Sequence, residues 1–340
     1  MLTDVVCLLK KPWFLNKESI LVTIVRPEVR QFADEVRQGL TTSPKKLNPK
    51  CLYDSLGSAI FDAICCLPWY RITRAENELL SRKASKLVDT IGAPIRIIEL
   101  GCGSGEKTVT LLKACQTFGQ KTSVHLIDIS SSALAWSEQR LREFEKAFVV
   151  THQSDYEEGM QAASAYRQPE ETLLLMFLGS SLGNLGTLSS IELLQKIRKN
   201  LRVGDALLLG VDLVKPEEEL LKAYDDPLGV TAAFNRNVLL RINTELGGNF
   251  NLDHFKHRII WNHEAARIEM HLVSTENQEV LIPLADCNTS FTVGESIWTE
   301  SSHKFEIETI VDLVEKANFC SCEQWIDQEA RFALTLFTAA

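Results

Sequence analysis

The chain of 340 residues lacks the marks of several protein classes. Its nine cysteines, Cys7, Cys51, Cys65, Cys66, Cys102, Cys115, Cys287, Cys320 and Cys322, form no CxxC pair. Their odd number suits free thiols in a reducing compartment better than a disulfide framework. The seven histidines show neither HxxxH nor HxH spacing, so no metal site is expected. No apolar run approaches the length of a membrane span. The N-terminal MLTDVVCLLKKPWFLNKES has an acid before its short apolar run and Lys10 and Lys11 after it, the wrong order for a secretory signal. An excess of basic charge is also absent: 36 Lys and Arg stand against 45 Asp and Glu, a formal charge of −9. That balance argues against nucleic acid or an anionic membrane as a partner, and a cytoplasmic monomer is expected.

What is present is an ordinary globular composition, 45% apolar and 24% charged, in a chain longer than one core usually organises. Helical spacing marks Ser58 to Leu67, stopped by Pro68, and Arg74 to Thr90 reads as a second helix. Between them and the N-terminus, Gln38 to Lys50 reads as irregular and polar. Strands at Ile95 to Leu100, Ser123 to Asp128, Phe148 to Gln153, Thr172 to Leu178 and Ala206 to Asp212 then alternate with helices at Lys107 to Cys115, Ser131 to Ala147 and Ser189 to Asn200. Such alternation predicts a parallel sheet covered on both faces. From Pro216 to about Glu300 the rhythm breaks into helices within Glu217 to Leu246 and strand-like runs at Phe255 to Asn262, Ala266 to Val273 and Ser290 to Thr292, so a second, smaller α+β unit is expected. The acidic start PEEEL reads as a helix N-terminus favoured by its dipole.

The stretch IIELGCGSGEK, Ile97 to Lys107, carries glycines at every second position after an apolar strand. Such a turn brings backbone N–H groups and a helix N-terminus close to a ligand. Its GxGxG spacing differs from the dinucleotide fingerprint GxGxxG and resembles motif I of the class I S-adenosylmethionine-dependent methyltransferases. In an open parallel sheet the ligand lies beyond the carboxyl ends of the strands. Those ends carry Glu99 with Gly101, Gly103, Gly105 and Lys107; Asp128, an acceptor for ribose hydroxyls; Asp155 with Tyr156, suited to an adenine; and Gly179 with Asn184. Any one such acid is more often a helix cap or a solvated strand end; four in register favour a site.

Longer blocks are more specific. YDSLGSAIFDAICCLPWYRITRAE (Tyr53 to Glu76), ELGCGSGEKT, FLGSSLGNL, LLLGVDLVK, AYDDPLGVTAAFNRNVL, IEMHL and GESIWTESSHKF together resemble the histidine-specific Nα-methyltransferases, which make hercynine in ergothioneine biosynthesis. The resemblance spans Tyr53 to Phe305 and leaves the first fifty residues unexplained. It implies a Rossmann-like S-adenosylmethionine-binding domain at residues 70–213 and 303–340, and a substrate-binding domain at 20–69 and 214–302. By that likeness the cofactor's amino-acid end meets Lys107 and Gly179, its ribose Asp128, and its adenine Asp155 and Tyr156, where many relatives carry Phe. L-Histidine lies against Tyr53, Tyr70, Asn184 and Tyr224, with Asn184 on its amine, while Glu300 and Ser302 address the imidazole and Met270 walls it. Tyr53 and Asn184 are the candidate catalytic residues, and Glu300 is expected to be an anionic acceptor. Taken by residue type alone, Tyr70 and Met270 read equally as core, Glu300 as a solvated edge charge and His303 as pointing elsewhere. A methyltransferase acting on another amino acid or amine, and a non-catalytic cofactor-binding protein, remain open alternatives.

Overall fold

The computed structural model describes residues 27–340 apart from Ala93, Gln120 and Tyr166. The N-terminal run read against a leader, Cys7, and residues 20–26 of the expected substrate unit lie outside the described residues. The chain enters through α1 (Pro27–Thr41), the short strand β1 (Lys45–Lys46) and a 3-10 turn at Pro49–Leu52. The stretch expected to be irregular from Gln38 therefore starts as a helix end, because Phe32, Val36 and Leu40 form a buried stripe at helical spacing. Helix α2 (Ser55–Cys66) is capped by Asp54, whose carboxylate accepts from the Gly57 amide at 2.8 Å, and α3 (Ile72–Ile91) follows Pro68.

The alternating section comprises β2 (Ile95–Leu100), α4 (Glu106–Thr117), β3 (Thr122–Asp128), α5 (Ser131–Leu141), β4 (Ala147–Gln153), α6 (Tyr156–Ser164), β5 (Thr172–Phe177), α7 (Thr187–Lys199) and β6 (Ala206–Asp212). Helix α5 stops at Leu141 instead of continuing to Ala147. Phe144 and Ala147 keep helical spacing from Leu141 only because two consecutive i to i+3 turns lead the chain into β4. Next come α8 (Glu217–Tyr224), α9 (Val230–Leu246), β7 (Phe255–Asn262), β8 (Arg267–Ser274), β9 (Gln278–Ile282), β10 (Cys287–Phe291), β11 (Ser296–His303), α10 (Ile307–Glu315), β12 (Phe319–Asp327) and β13 (Phe332–Ala339).

Among the described residues one seven-stranded sheet runs β12-β13-β6-β5-β2-β3-β4, parallel except where β13 lies antiparallel between β6 and β12. Successive side chains of β2 enter opposite cores: Ile95 and Ile97 join one apolar cluster, Ile98 and Leu100 the other. This is the parallel-rich, doubly covered sheet that the alternation of strands and helices predicts. Strand order reverses between β2 and β5, which opens a crevice beyond their carboxyl ends, where Gly101 and Gly179 lie.

A four-stranded sheet, β1-β11-β8-β7, packs beneath α9, beside the β9–β10 hairpin. Its strand β11 contains a bulge between Trp298 and Glu300. The buried side chains are Ile297 before it, Thr299 within it, then Glu300 and Ser302, with Lys304 buried just past the strand end. Immediately afterwards the chain bonds to the end of β6, Phe305 N donating to Asp212 O and Val214 N to Phe305 O, both at 3.0 Å. Glu300 is therefore no solvated edge charge. It is carried inward on a strand and set beside the crevice of the large sheet.

Candidate active site

The glycine loop leaves β2 with Gly101, Gly103 and Gly105 at φ of +73°, +49° and +75°, the left-handed region that glycine enters freely. Nothing stands over Gly103, so the loop backbone is open to a ligand where α4 begins. Asp128, at the end of β3, holds that loop: its Oδ2 accepts from Gly103 N at 3.3 Å and its Oδ1 from Ser130 N at 2.9 Å. Burial raises its pKa while those amides oppose the shift. Glu99, fully buried, is pushed up to about 7 by desolvation, with Lys107 and the Thr108 hydroxyl working against it. Asp155 is exposed and caps α6, accepting from Glu158 N at 2.9 Å, which is the capping role an isolated acid ordinarily has. Tyr156, the first residue of α6, sets its ring edge-on to Phe177 at 5.3 Å and its hydroxyl beside Gly101. A glycine loop with clear space over Gly103, a helix N-terminus, a strand-end carboxylate and an aromatic ring fit a nucleoside carrying a charged amino-acid arm.

One residue of this region escaped the sequence reading. Glu76 on α3 is wholly buried; its Oε2 meets Lys107 Nζ at 2.6 Å, and both its oxygens accept from Gly179 N at 2.9 Å. The signal was available: Ile72, Glu76, Leu79 and Leu80 share one apolar helix face, and a charge on such a face needs a partner. Burial would lower the Lys107 pKa, but Glu76 and then Glu99 outweigh it and hold the ammonium above the usual lysine range.

A cavity next to Gly179 brings together Tyr70, Asn184, Tyr224, Met270, Glu300 and Ser302, and Tyr53 joins this set through its hydroxyl, which donates to Glu300 Oε1 at 3.3 Å. Glu99, Lys107, Asp128, Asp155 and Tyr156 do not line it; they stand at the strand ends and the helix starts that follow them, and Gly179, which lies beside Lys107, is where the two sets meet. The cavity's aromatic wall is continuous, with Tyr53 edge-on to Phe61 at 5.6 Å and to Phe234 at 5.4 Å, and Tyr70 edge-on to Tyr224 at 6.0 Å. Burial raises the Tyr53, Tyr70 and Tyr224 phenols, so they act as neutral hydroxyls. Asn184 Nδ2 points to Glu300 Oε1 at 3.5 Å, which leaves its Oδ1 to accept from an ammonium. Burial pushes the Glu300 carboxyl up to about 7, against the Tyr53 hydrogen bond and the Lys304 charge, so its ionised fraction changes around neutral pH. His303 faces away, its Nδ1 lying 2.9 Å from Gly183 O.

Lys304, also missed, sits behind this wall. Its ammonium meets Asp212 Oδ2 at 2.9 Å, the Tyr224 hydroxyl at 2.7 Å and Ser302 Oγ at 2.9 Å, so all three of its donors are taken. Tyr224 and Ser302 are themselves 2.8 Å apart. With Lys304 donating to both oxygens, the two hydroxyls share one hydrogen bond and one hydroxyl hydrogen remains. That hydrogen is free for a ligand acceptor in the cavity, and Glu300, when ionised, can accept in turn.

Residues 32–339 match the model of the S-adenosylmethionine-dependent, histidine-specific methyltransferases. The histidine N-alpha-methyltransferase of Mycolicibacterium smegmatis is 37% identical over 303 residues, covering 89% of this chain and 93% of the relative. That of Mycobacterium tuberculosis has the same identity and coverage. Ergothioneine biosynthesis protein 1 of Schizosaccharomyces pombe is 26% identical, with 79% of this chain matching 35% of that longer protein. A switch-point crevice lined by an open glycine loop, opening onto a polar-ended aromatic cavity, is thus carried by a chain that belongs to the S-adenosylmethionine-dependent, histidine-specific methyltransferase family.

Proposed function

We propose that the protein transfers methyl groups from S-adenosylmethionine to the α-amino nitrogen of L-histidine, three in succession, forming hercynine on the route to ergothioneine. The observation that carries this reading is the pairing of one acceptor, Glu300, with one directed donor, the Ser302–Tyr224 pair backed by Lys304. A neutral imidazole offers one N–H and one bare nitrogen. A cavity built with the complementary pair rejects side chains that would leave its buried polar groups unmatched.

The cofactor, when bound, supplies an activated methyl group on a sulfonium, so the chain's task is positioning. Lys107 and Gly179 would hold the cofactor's amino-acid end, Asp128 its ribose, and Tyr156 with Asp155 its adenine. Asn184 Oδ1 would orient the substrate amine toward the crevice, beside Gly179 where the two sites meet. The neutral phenols of Tyr53, Tyr70 and Tyr224 crowd water out of the cavity and turn aromatic surface toward the growing positive charge of the methylated amine.

The test is mass spectrometry of purified protein with S-adenosylmethionine and each of the twenty amino acids. Histidine should gain one, two and then three methyl groups. Cofactor binding with no mass gain on histidine would remove the reading, and a gain on another amino acid would replace it.

A further inference from the structure

We infer that Glu76 is the positioning residue for the cofactor's amino-acid arm: without touching that arm, it aims the Lys107 ammonium and the Gly179 segment at it. This rests on the proposed placement of Lys107 and Gly179 at that end of the cofactor.

Three independent features support it. First, a single carboxylate joins the two elements. Lys107 comes from the start of α4 and Gly179 from the loop after β5, and Glu76 on α3 bonds to both. Gly179 lies close enough to the ammonium that a Cβ there would stand 3.3 Å from Lys107 Nζ, so the two are held as one unit. Second, the Glu76 side chain has no exposed surface, whereas that of Lys107 retains 18% exposure. The glutamate is behind and the lysine is in front, facing the crevice. Third, the neighbouring sheet is shaped for the glutamate. A Cβ at Gly210, in the fully buried strand β6, would sit 1.9 Å from Glu76 Oε1, so that strand position is kept empty for the carboxylate.

The chemistry follows from the ammonium's donors. Lys107 uses one hydrogen on Glu76 Oε2, which fixes its direction and leaves others for a carboxylate in the crevice. The Gly179 amide is spent on Glu76, so that amide is not available to the cofactor and the Gly179 carbonyl is what the segment can offer to an ammonium. A fixed cation and a fixed carbonyl match the carboxylate and ammonium of an amino-acid arm.

The experiment compares two ligands that differ only in that arm. S-adenosylhomocysteine carries it and 5′-methylthioadenosine lacks it, and both are titrated calorimetrically into the parent, Glu76→Gln, Glu76→Asp and Lys107→Met. Glu76→Gln should weaken S-adenosylhomocysteine at least tenfold and leave 5′-methylthioadenosine within twofold. Glu76→Asp, charged but one methylene shorter, should fall between parent and Gln for the first ligand only. Retained 5′-methylthioadenosine affinity certifies that the variants are folded. Equal weakening of both ligands would overturn the inference in favour of a general structural role. If Lys107→Met discriminates between the ligands and Glu76→Gln does not, Glu76 is overturned while the cofactor placement stands. If Lys107→Met does not discriminate, the placement fails and the inference with it.

Discussion

Glu300 on β11 and Met270 on β8 are direct cross-strand partners, so the cavity's one ionisable acceptor and its apolar wall form a single pair on the same sheet face. Paired residues on one face touch, and changing one alters the space left for the other. Replacing Glu300 by Leu together with Met270 by Ala should therefore trade a polar cavity end for a wider, apolar one. The ratio of kcat/KM for histidine to that for phenylalanine or tryptophan should fall in this double variant. An unchanged ratio would show that the pair does not select the substrate.

The elevated Glu300 pKa sets a pH dependence of both activity and stability. Because only the ionised carboxylate accepts an imidazole N–H without rearrangement, kcat/KM for histidine should decline as pH drops below about 7, and Glu300→Gln should lack that limb. For stability the sign is opposite. A carboxyl whose folded pKa lies above its unfolded value of 4.5 favours the fold below that value, and the contribution is lost as pH rises through about 7. Glu300→Gln, permanently neutral, should match the parent at acid pH and exceed its stability at pH 8 by up to about 3 kcal/mol in urea titrations.

Asp128 organises the glycine loop through two amide hydrogen bonds and stands where the ribose would lie. Asp128→Ala should weaken S-adenosylmethionine binding by about 1–3 kcal/mol. Calorimetry that returns the parent affinity would show the ribose to be held elsewhere.

Lys304 tests the directed donor. Lys304→Met removes a buried cation from Asp212, which keeps Lys215 at 2.6 Å, so the loss of stability should be about 3 kcal/mol. The Tyr224–Ser302 pair would then be free to turn either way. Histidine KM should rise by an order of magnitude or more while S-adenosylmethionine affinity stays within twofold. Equal weakening of both ligands would mark the lysine as purely structural.

The large sheet was legible because its strands are continuous apolar runs ended by polar residues; β2 and β6 fall at the limits expected for them. Strand β11 was not. Inward and outward residues alternate on each side of its bulge, but the inserted Thr299 shifts the parity, so no period of two runs through SIWTESSH. Thr299 is itself held inside by hydrogen bonds to Asn235 and to the Met270 carbonyl, a tertiary partnership that local sequence does not announce. Glu76 and Lys304 were hidden for a related reason. Each touches its cavity only through another residue, so neither carries the exposed polar signature of a ligand, and only a charge set within an apolar pattern gives it away.

The space over Gly210 ties two positions that are far apart in the chain into one inherited choice. A glycine inside a buried central strand is disfavoured by backbone entropy and offers nothing to pack, so its presence marks what occupies the place of its missing side chain. The occupant is Glu76. A related chain that gains a side chain at 210 has to shorten residue 76, and one that loses the glutamate leaves the Phe332 ring, 3.1 Å from such a Cβ, as the remaining neighbour to shift. Residue 210, with no atom in the crevice, can thus be read as a label for how a family member grips the far end of its cofactor.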